Sequence, residues 1–177
     1  MRNLEFKARA PDARGLQARA RALGADLWGD LRQTDTYFRV ARGRLKLRET
    51  AGFQAELVYY ERDEAAARIS SEYRLVRTQD GEALREALAA ALGVLAVVRK
   101  RRTLLLLDST RLHLDNVEGL GSFFEIEVPV RDGEQAAQAE IDRLVAALGL
   151  DWDACVRASY LDLALQAREA SSEMQGA

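Results

Sequence analysis

The chain has 177 residues, of which 48% are hydrophobic and 31% are charged, with a net charge of -2. This length and composition are typical of one globular domain with a single hydrophobic core, and they exclude an intrinsically disordered chain. The near balance of charge argues against a protein that holds nucleic acid by bulk electrostatics, so we expect no nucleic-acid partner.

Cysteine usage and the hydrophobic runs predict a cytoplasmic protein. The sequence has one cysteine, Cys155, and one histidine, so it lacks both an internal disulfide and the ligand set of a structural zinc site. The longest purely aliphatic run is Leu104 to Leu107, and charged residues occur throughout the first twenty positions. We therefore expect neither a signal peptide nor a membrane partner.

In chain order, the first predicted elements are a strand and a helix. Leu4, Phe6 and Ala8 alternate with charged or polar residues in RNLEFKAR, the pattern of a half-buried strand. The segment DARGLQARARALGA begins beside a proline and an aspartate and ends at a glycine, which indicates a helix. Four further strands are predicted at about 31–40, 43–49, 54–61 and 69–78.

The second half of the chain repeats this mixture of elements. Asp80 is placed to cap the helix GEALREALAAALG, and three more strands are predicted at about 95–106, 110–117 and 122–130. GEQAAQAEIDRLVAALG has helical apolar spacing, and WDACVRASYLDLAL can form another helix. Eight short strands interrupted by helices predict one α+β domain over residues 1–165, followed by a frayed tail over 166–177.

Strand alternation sorts the charged residues onto single faces. Arg44, Lys46 and Arg48 share one face of GRLKLRE, whereas leucines occupy the other. Glu125 and Glu127 likewise share one face of SFFEIEVPV. The other groups that share a face are Asn3, Glu5, Lys7 and Arg9; Glu72 and Arg74; Val98, Lys100 and Arg102; and Arg111, His113 and Asp115.

Two interpretations of these charged faces are open. An antiparallel sheet with one solvated face gives the same alternation without any function. However, the bases collect on the middle strands and the acids on the first and last, and neighbours of like charge repel unless an opposite charge lies close. A polyphosphate with divalent metal ions carries both signs, since phosphate oxygens accept bonds from Arg and Lys while carboxylates hold Mg²⁺ or Mn²⁺.

The order of these motifs resembles the CYTH domain, which is named for class IV adenylate cyclases and thiamine triphosphatases and belongs to the triphosphate tunnel metalloenzymes. The resemblance extends from about residue 2 to residue 165 and rests on NLEFK, QTDTYFRVARGRLKLRE, the K-x-R of Lys100 and Arg102, and LHLDNVEGLGSFFEIEV. It implies a closed antiparallel eight-stranded β-barrel with helices packed outside. The charged interior would be a tunnel that binds a triphosphate with a divalent metal.

The resemblance also implies roles for individual residues. The implied metal ligands are Glu5, Asp115, Glu125 and Glu127, with Mg²⁺ or Mn²⁺ as cofactor. The implied triphosphate-binding residues are Lys7, Lys46, Arg48, Arg74, Lys100 and Arg102, and the implied catalytic residues are Glu5, Lys7, Arg48, Lys100 and Arg102.

Two positions depart from the family pattern, and two further matches are less secure. Asn3 stands in place of an acid, and because an amide oxygen carries no charge, we expect weaker metal binding or fewer ions. Tyr60 stands where a lysine is expected, unless Arg62 replaces it. On the fifth strand, Glu72 and Arg74 are the less secure matches.

The resemblance implies metal-dependent chemistry on a small-molecule triphosphate such as ATP, thiamine triphosphate or tripolyphosphate. Attack of the ribose 3′-hydroxyl of ATP on the α-phosphorus would make the protein an adenylate cyclase that releases pyrophosphate. Attack of water on the terminal phosphorus would make it a triphosphatase. A non-catalytic module that binds polyphosphate or nucleotide is the alternative, since Asn3 removes an acid. His113 is either a general base or a hydrogen-bonded wall residue, and a homodimer remains open.

Overall fold

A computed structural model describes residues 2–62 and 69–175, with the backbone alone at residues 62, 69–72 and 173–175. The eight strands are β1 (Arg2–Arg9), β2 (Asp26–Phe38), β3 (Arg44–Thr50), β4 (Ala55–Arg62), β5 (Ile69–Thr78), β6 (Val94–Leu107), β7 (Thr110–Val117) and β8 (Gly121–Pro129). The four α-helices are α1 (Ala13–Ala22), α2 (Gly81–Leu92), α3 (Glu134–Ala147) and α4 (Tyr160–Gln175). These elements confirm the predicted α+β fold with eight strands.

The strands form one curled antiparallel sheet in the order β1-β5-β4-β3-β2-β6-β7-β8. β1 pairs with β8 through seven residue pairs, from Asn3↔Pro129 to Arg9↔Phe123. Among the described residues it pairs with β5 through four, from Arg2↔Glu72 to Glu5↔Ile69. β1 thus pairs with a strand on either side, and the sheet curls strongly around its inner face.

Apolar side chains on the outer face of the sheet pack against α1 and α3. Phe6 of β1 and Ile126 of β8 are fully buried in one cluster with Leu16 of α1 and Leu144 of α3. Burial of each such side chain contributes about 1.5–3 kcal/mol. A second cluster joins Leu47 of β3 to α2. Because the helices cover this outer face, the alternating charged side chains are directed to the inner face.

The start of α4 packs against one end of the inner face. Tyr160 and Leu161 join a buried cluster that includes Tyr37 and Phe123. Among the described residues, no helix combines the length and apolar character required to cross a bilayer.

The prediction of one helix from Trp152 is wrong. A short 3-10 helix spans Trp152–Ala154, and α4 begins only at Tyr160. Ser159 and Asp162 explain the late start: the Asp162 carboxylate accepts from the Ser159 amide (2.8 Å), and the Ser159 hydroxyl accepts from the Asp162 amide (3.2 Å). This reciprocal arrangement is a capping box. The frayed tail expected from residue 166 is instead helical through Gln175.

Candidate active site

Strand register brings the predicted charged residues together on the inner face. Glu5 lies opposite Glu127, and Lys7 lies opposite Glu125. On the other side of β8, Glu127 lies opposite Arg111 and Glu125 opposite His113. Residues opposite each other in an antiparallel pair share a face. The inner face therefore carries acids on β8 with bases on both neighbouring strands, as the alternation predicts.

A cluster of three bases lies around Asp35 on β2, and we call it the basic cluster: Lys46, Arg48 and Lys100. Arg48 donates from Nε to Asp35 Oδ1 (2.7 Å) and from Nη2 to Oδ2 (2.9 Å). The ammonium groups of Lys46 and Lys100 donate to Asp35 Oδ2 at 3.1 and 3.2 Å. Three cations thus share one carboxylate, which leaves a surplus of positive charge that suits a phosphate chain.

Burial changes the ionisation of this cluster. Although burial raises the pKa of Asp35, the charges of Arg48, Lys100 and Lys46 hold it well below its usual value. Burial, followed by the charge of Arg48, lowers the pKa of Lys46 to about 7. Burial also lowers the pKa of Lys100. Asp35 is therefore ionised at neutral pH, whereas Lys46 is poised between its charged and neutral forms.

A second group of contacts centres on Arg102, which binds two acids. Its Nε donates to Asp115 Oδ1 (2.6 Å), and its Nη2 donates to Glu125 Oε2 (2.8 Å). The Tyr160 hydroxyl at the start of α4 donates to Asp115 Oδ2 (3.0 Å). Asp115 is 1% exposed. Arg102 and Asp115 therefore form a buried ion pair that α4 completes.

Glu127 is held by three neighbours. Arg111 donates from Nε and Nη2 to its two carboxylate oxygens at 3.0 and 2.6 Å, and the Asn3 amide also donates to it. His113 lies between the two glutamates, with Nδ1 3.3 Å from Glu125 and Nε2 3.7 Å from Glu127. The amide at position 3 thus acts as a donor to an acid, where the family pattern has a second carboxylate.

The acids of the inner face remain ionised despite their burial. Burial raises the pKa of Glu125, but the hydrogen bond from His113 and the charge of Arg102 hold it well below its usual value. Burial also raises the pKa of Glu127, but the hydrogen bond from Arg111 and the charges around it together hold it below its usual value. Burial and the charge of Arg102 lower the pKa of His113, so its ring is neutral at pH 7. These carboxylates can therefore act as anionic ligands at neutral pH.

The donor set is suited to a hard divalent cation that arrives with its substrate. Within residues 2–62 and 69–175, no three acids or histidines converge as a preformed metal cage. Mg²⁺ commonly uses one or two carboxylates together with substrate phosphates rather than a cage made by protein alone. Glu125 and Glu127, with Glu5 opposite Glu127, fit that mode. Asp115 fits it least, because its side chain is fully buried beneath Arg102 and Tyr160, whereas those of Glu125 and Glu127 remain 17% and 18% exposed.

One predicted site residue lies apart from the others. Arg74 is exposed and pairs across the ladder with Tyr59, which places it on the outer face. Tyr73 and Leu75 occupy the inner positions of β5. Val76, next to Arg74 on the outer face, is 62% exposed, so this face of β5 is solvated and the charged residue lies outside. The side chains of Arg62 and Glu72 lie outside the described part of the chain.

Sequence reasoning missed two inner-face groups. Asp35 lies in QTDT, where both faces are polar, so alternation gives no signal there. Tyr160 reaches the site from α4, and only the capping pattern at Ser159 could have indicated where that helix begins. Tyr60, at the position expected to be lysine, is directed to the inner face, where it hydrogen-bonds with Tyr37 and Arg44.

The fold and the arrangement of its inner face define a class: an α+β domain with a curled eight-stranded sheet that encloses paired acids and bases. A family model described as CYTH domain matches residues 1–157. The chain therefore belongs to the CYTH domain family. Among curated proteins, none matches it significantly.

Solved structures with the same fold come from archaea, bacteria and a plant. The PH1012 protein of Pyrococcus horikoshii OT3 is 24% identical with a TM-score of 0.82, and the match covers 91% of this chain and 98% of that one. A proposed adenylate cyclase of Vibrio parahaemolyticus is 17% identical with a TM-score of 0.74, covering 89% and 94%. HpAC1 of Hippeastrum, a proposed adenylyl cyclase described as having a dominant triphosphatase activity, is 17% identical with a TM-score of 0.67, covering 90% and 92%. At these identities the likeness shows a shared fold.

Proposed function

We propose that this protein is a divalent-metal-dependent triphosphatase, which uses water to release phosphate from a small-molecule triphosphate bound on its inner face. The observation that carries the proposal is the position of Lys46, Arg48 and the buried Lys100 on the same inner face as the ionised acids Glu125 and Glu127. Basic side chains on one part of the inner face and carboxylates on another suit a phosphate chain that is bridged to a divalent cation. The triphosphatase activity named for HpAC1 agrees with this choice.

The proposal includes a tunnel closed between β1 and β5. Four residue pairs already join these strands, and Lys7 and Glu5 on β1 complete the inner face beside β8. Closure would exclude bulk water around the phosphates, and electrostatic interactions are stronger in such surroundings. The basic side chains would then hold the phosphate chain from several sides.

The basic residues would perform most of the catalysis. Arg48 and Lys100, with Lys46 and Lys7, would bind the phosphate oxygens and offset charge that develops as the terminal P–O bond breaks. Arg102 would hold Glu125 and Asp115 in place. A bound Mg²⁺ or Mn²⁺ would neutralise phosphate charge beside Glu5, Glu125 and Glu127.

Adenylate cyclase activity is the second candidate, since the same clamp could bind ATP. The packing of α4 favours hydrolysis instead. Tyr160 and Leu161 fill the aromatic end of the inner face beside Tyr37 and Phe123, where a nucleobase would otherwise find a surface on which to stack. A binding module without turnover is the third candidate, and Asn3 supports it, because an amide replaces one acid.

A substrate panel tests these three functions together. Purified protein is incubated with ATP, thiamine triphosphate or inorganic triphosphate, with Mg²⁺, Mn²⁺ or chelator, and assayed for phosphate, pyrophosphate and cyclic AMP. We expect metal-dependent phosphate release that exceeds cyclic AMP formation from ATP. Cyclic AMP with stoichiometric pyrophosphate would establish the cyclase, whereas binding without any product would establish the binding module.

The low pKa of Lys46 predicts a pH-dependent affinity for triphosphate. Below pH 7 Lys46 is charged before the anion binds, whereas above pH 7 it must first take up a proton. From pH 6 to pH 8, we expect the wild-type affinity for inorganic triphosphate to fall about tenfold more than that of Lys46→Gln. The difference between the two proteins removes the titration of the ligand itself. Parallel pH profiles in calorimetry would refute the assignment.

A further inference from the structure

We propose that Asp35 is a positioning residue of the triphosphate site, which assembles Lys46, Arg48 and Lys100 around one point before the substrate arrives. The inference rests on the proposed function. It concerns a residue to which neither strand alternation nor the family resemblance assigns a role.

The position of β2 allows one carboxylate to gather bases from two strands. β2 lies between β3 and β6, and Asp35 pairs in the ladder with Arg48 on one side and Val98 on the other. Lys46 and Arg48 reach it from β3, and Lys100 reaches it from β6. Asp35 is 1% exposed, so these contacts replace the water that would otherwise solvate its charge.

The contacts leave donors available for a ligand. Arg48 uses Nε and Nη2 on Asp35 and keeps the N–H groups of Nη1. Each lysine donates one N–H to Asp35 and keeps its others. Asp35 therefore fixes where the three cations lie without exhausting their capacity to bind phosphate.

Charge distribution distinguishes this cluster from Arg102, which also lies on the inner face. Arg102 has two acids of its own, Asp115 and Glu125. The basic cluster has three basic side chains on one acid, so it gains a net positive charge as its lysines are protonated and then attracts a further anion. Asp35 acts in two ways: it reduces repulsion among the bases when no ligand is bound, and it offsets part of their attraction for phosphate. Its removal should therefore strengthen anion binding while loosening the geometry.

Two variants test these opposite effects. We expect Asp35→Asn to bind inorganic triphosphate about threefold to tenfold more tightly in metal-free calorimetry, because one negative charge is lost. Its kcat with Mn²⁺ should fall by about 10-fold to 100-fold, because the bases are no longer held in register. We expect Asp35→Glu, whose longer side chain moves the carboxylate toward the phosphates, to weaken binding about tenfold. Asp30→Asn removes the same charge from the exposed outer face of β2 and should change neither quantity.

The outcomes separate this inference from a structural role and from the proposed function. A purely structural Asp35 predicts that affinity, kcat and stability all fall together in Asp35→Asn, which would overturn the inference. Should Asp35→Asn fail to fold, unchanged triphosphate affinity in Asp35→Glu would overturn it instead. Wild-type protein that binds no triphosphate refutes both proposals, whereas normal wild-type turnover with unchanged variants refutes this one alone.

Discussion

Arg102→Ala should lower the free energy of unfolding by about 3–5 kcal/mol, because it leaves the buried carboxylate of Asp115 without its ion-pair partner and removes one partner of Glu125. Arg102 contacts Asp115 and Glu125, and Asp115 has almost no exposure to water. Urea denaturation at pH 7 measures the loss. We also expect this variant to lose triphosphate binding. The cause would be disorder of the inner face rather than the loss of a direct contact with phosphate.

The pH dependence of this loss in unfolding free energy is a second test of the Arg102–Asp115 ion pair. Burial raises the pKa of Asp115, but the charge of Arg102 and its hydrogen bond, together with the charge of Lys100, hold the folded-state pKa below the usual value. This pair therefore contributes stability above the ordinary carboxylate pKa of about 4 and loses it as the pH falls further. The difference between wild type and Arg102→Ala should shrink toward pH 3.

Arg101→Ala is the matched control for this prediction. Arg101 is the preceding residue of β6, and its side chain is exposed on the outer face. We expect its unfolding free energy to stay within about 0.5 kcal/mol of wild type. Equal stability of Arg101→Ala and Arg102→Ala would mean that the buried pair makes no net contribution.

The directions of most strands' side chains could be predicted from sequence because alternation is a local signal. Leu47 and Arg48, one residue apart, lie on opposite faces as predicted, and so do Phe124 and Glu125. A slip of one residue would place every charge of a strand among the helices, so the apolar core fixes the register. The inner-face position of the acids on β8 follows from the same rule.

The rule failed on β5 because no buried outer core enforces it there. Tyr73 and Leu75 are directed to the inner face, and Arg74 lies in solvent beside the exposed Val76. The first strand residues of β2 were missed for a related reason: DLWGDL has no clean alternation, and the register shifts between Leu27 and Gly29. In both places the alternation of polar and apolar residues in the sequence does not match which side chains are buried.

Ion-pair partners could not be predicted, since they depend on which strands become neighbours. Asp35 is separated from Lys100 by 65 positions and meets it only because β2 pairs with β6. The pairing of Glu127 with Arg111 likewise depends on the register of β7 with β8. The face on which a side chain lies can be predicted from the local sequence. The separation of the inner face into a basic cluster and an acidic side depends instead on which strands become neighbours in the folded sheet.

Glu127→Gln should raise the Mn²⁺ concentration for half-maximal activity by about 10-fold to 100-fold, because glutamine keeps the shape of the side chain but loses the charge that a hard cation requires. Titration of activity with Mn²⁺ at saturating triphosphate measures this shift. Asp115→Asn is the contrasting variant. Because the Asp115 side chain is fully buried beneath Arg102 and Tyr160, we expect this variant to lose stability with a smaller change in metal dependence.

Asn3→Glu tests the same site from the opposite direction. The Asn3 amide donates to Glu127 in the wild-type protein, so a carboxylate at position 3 would place two acids together. Without metal, their repulsion should lower the melting temperature; with Mn²⁺, the added ligand should restore it and give a larger upward shift than in wild type. An equal Mn²⁺ shift in both proteins would mean that the cation does not bind beside Glu127, and the metal site would then have to be sought around Glu125 alone.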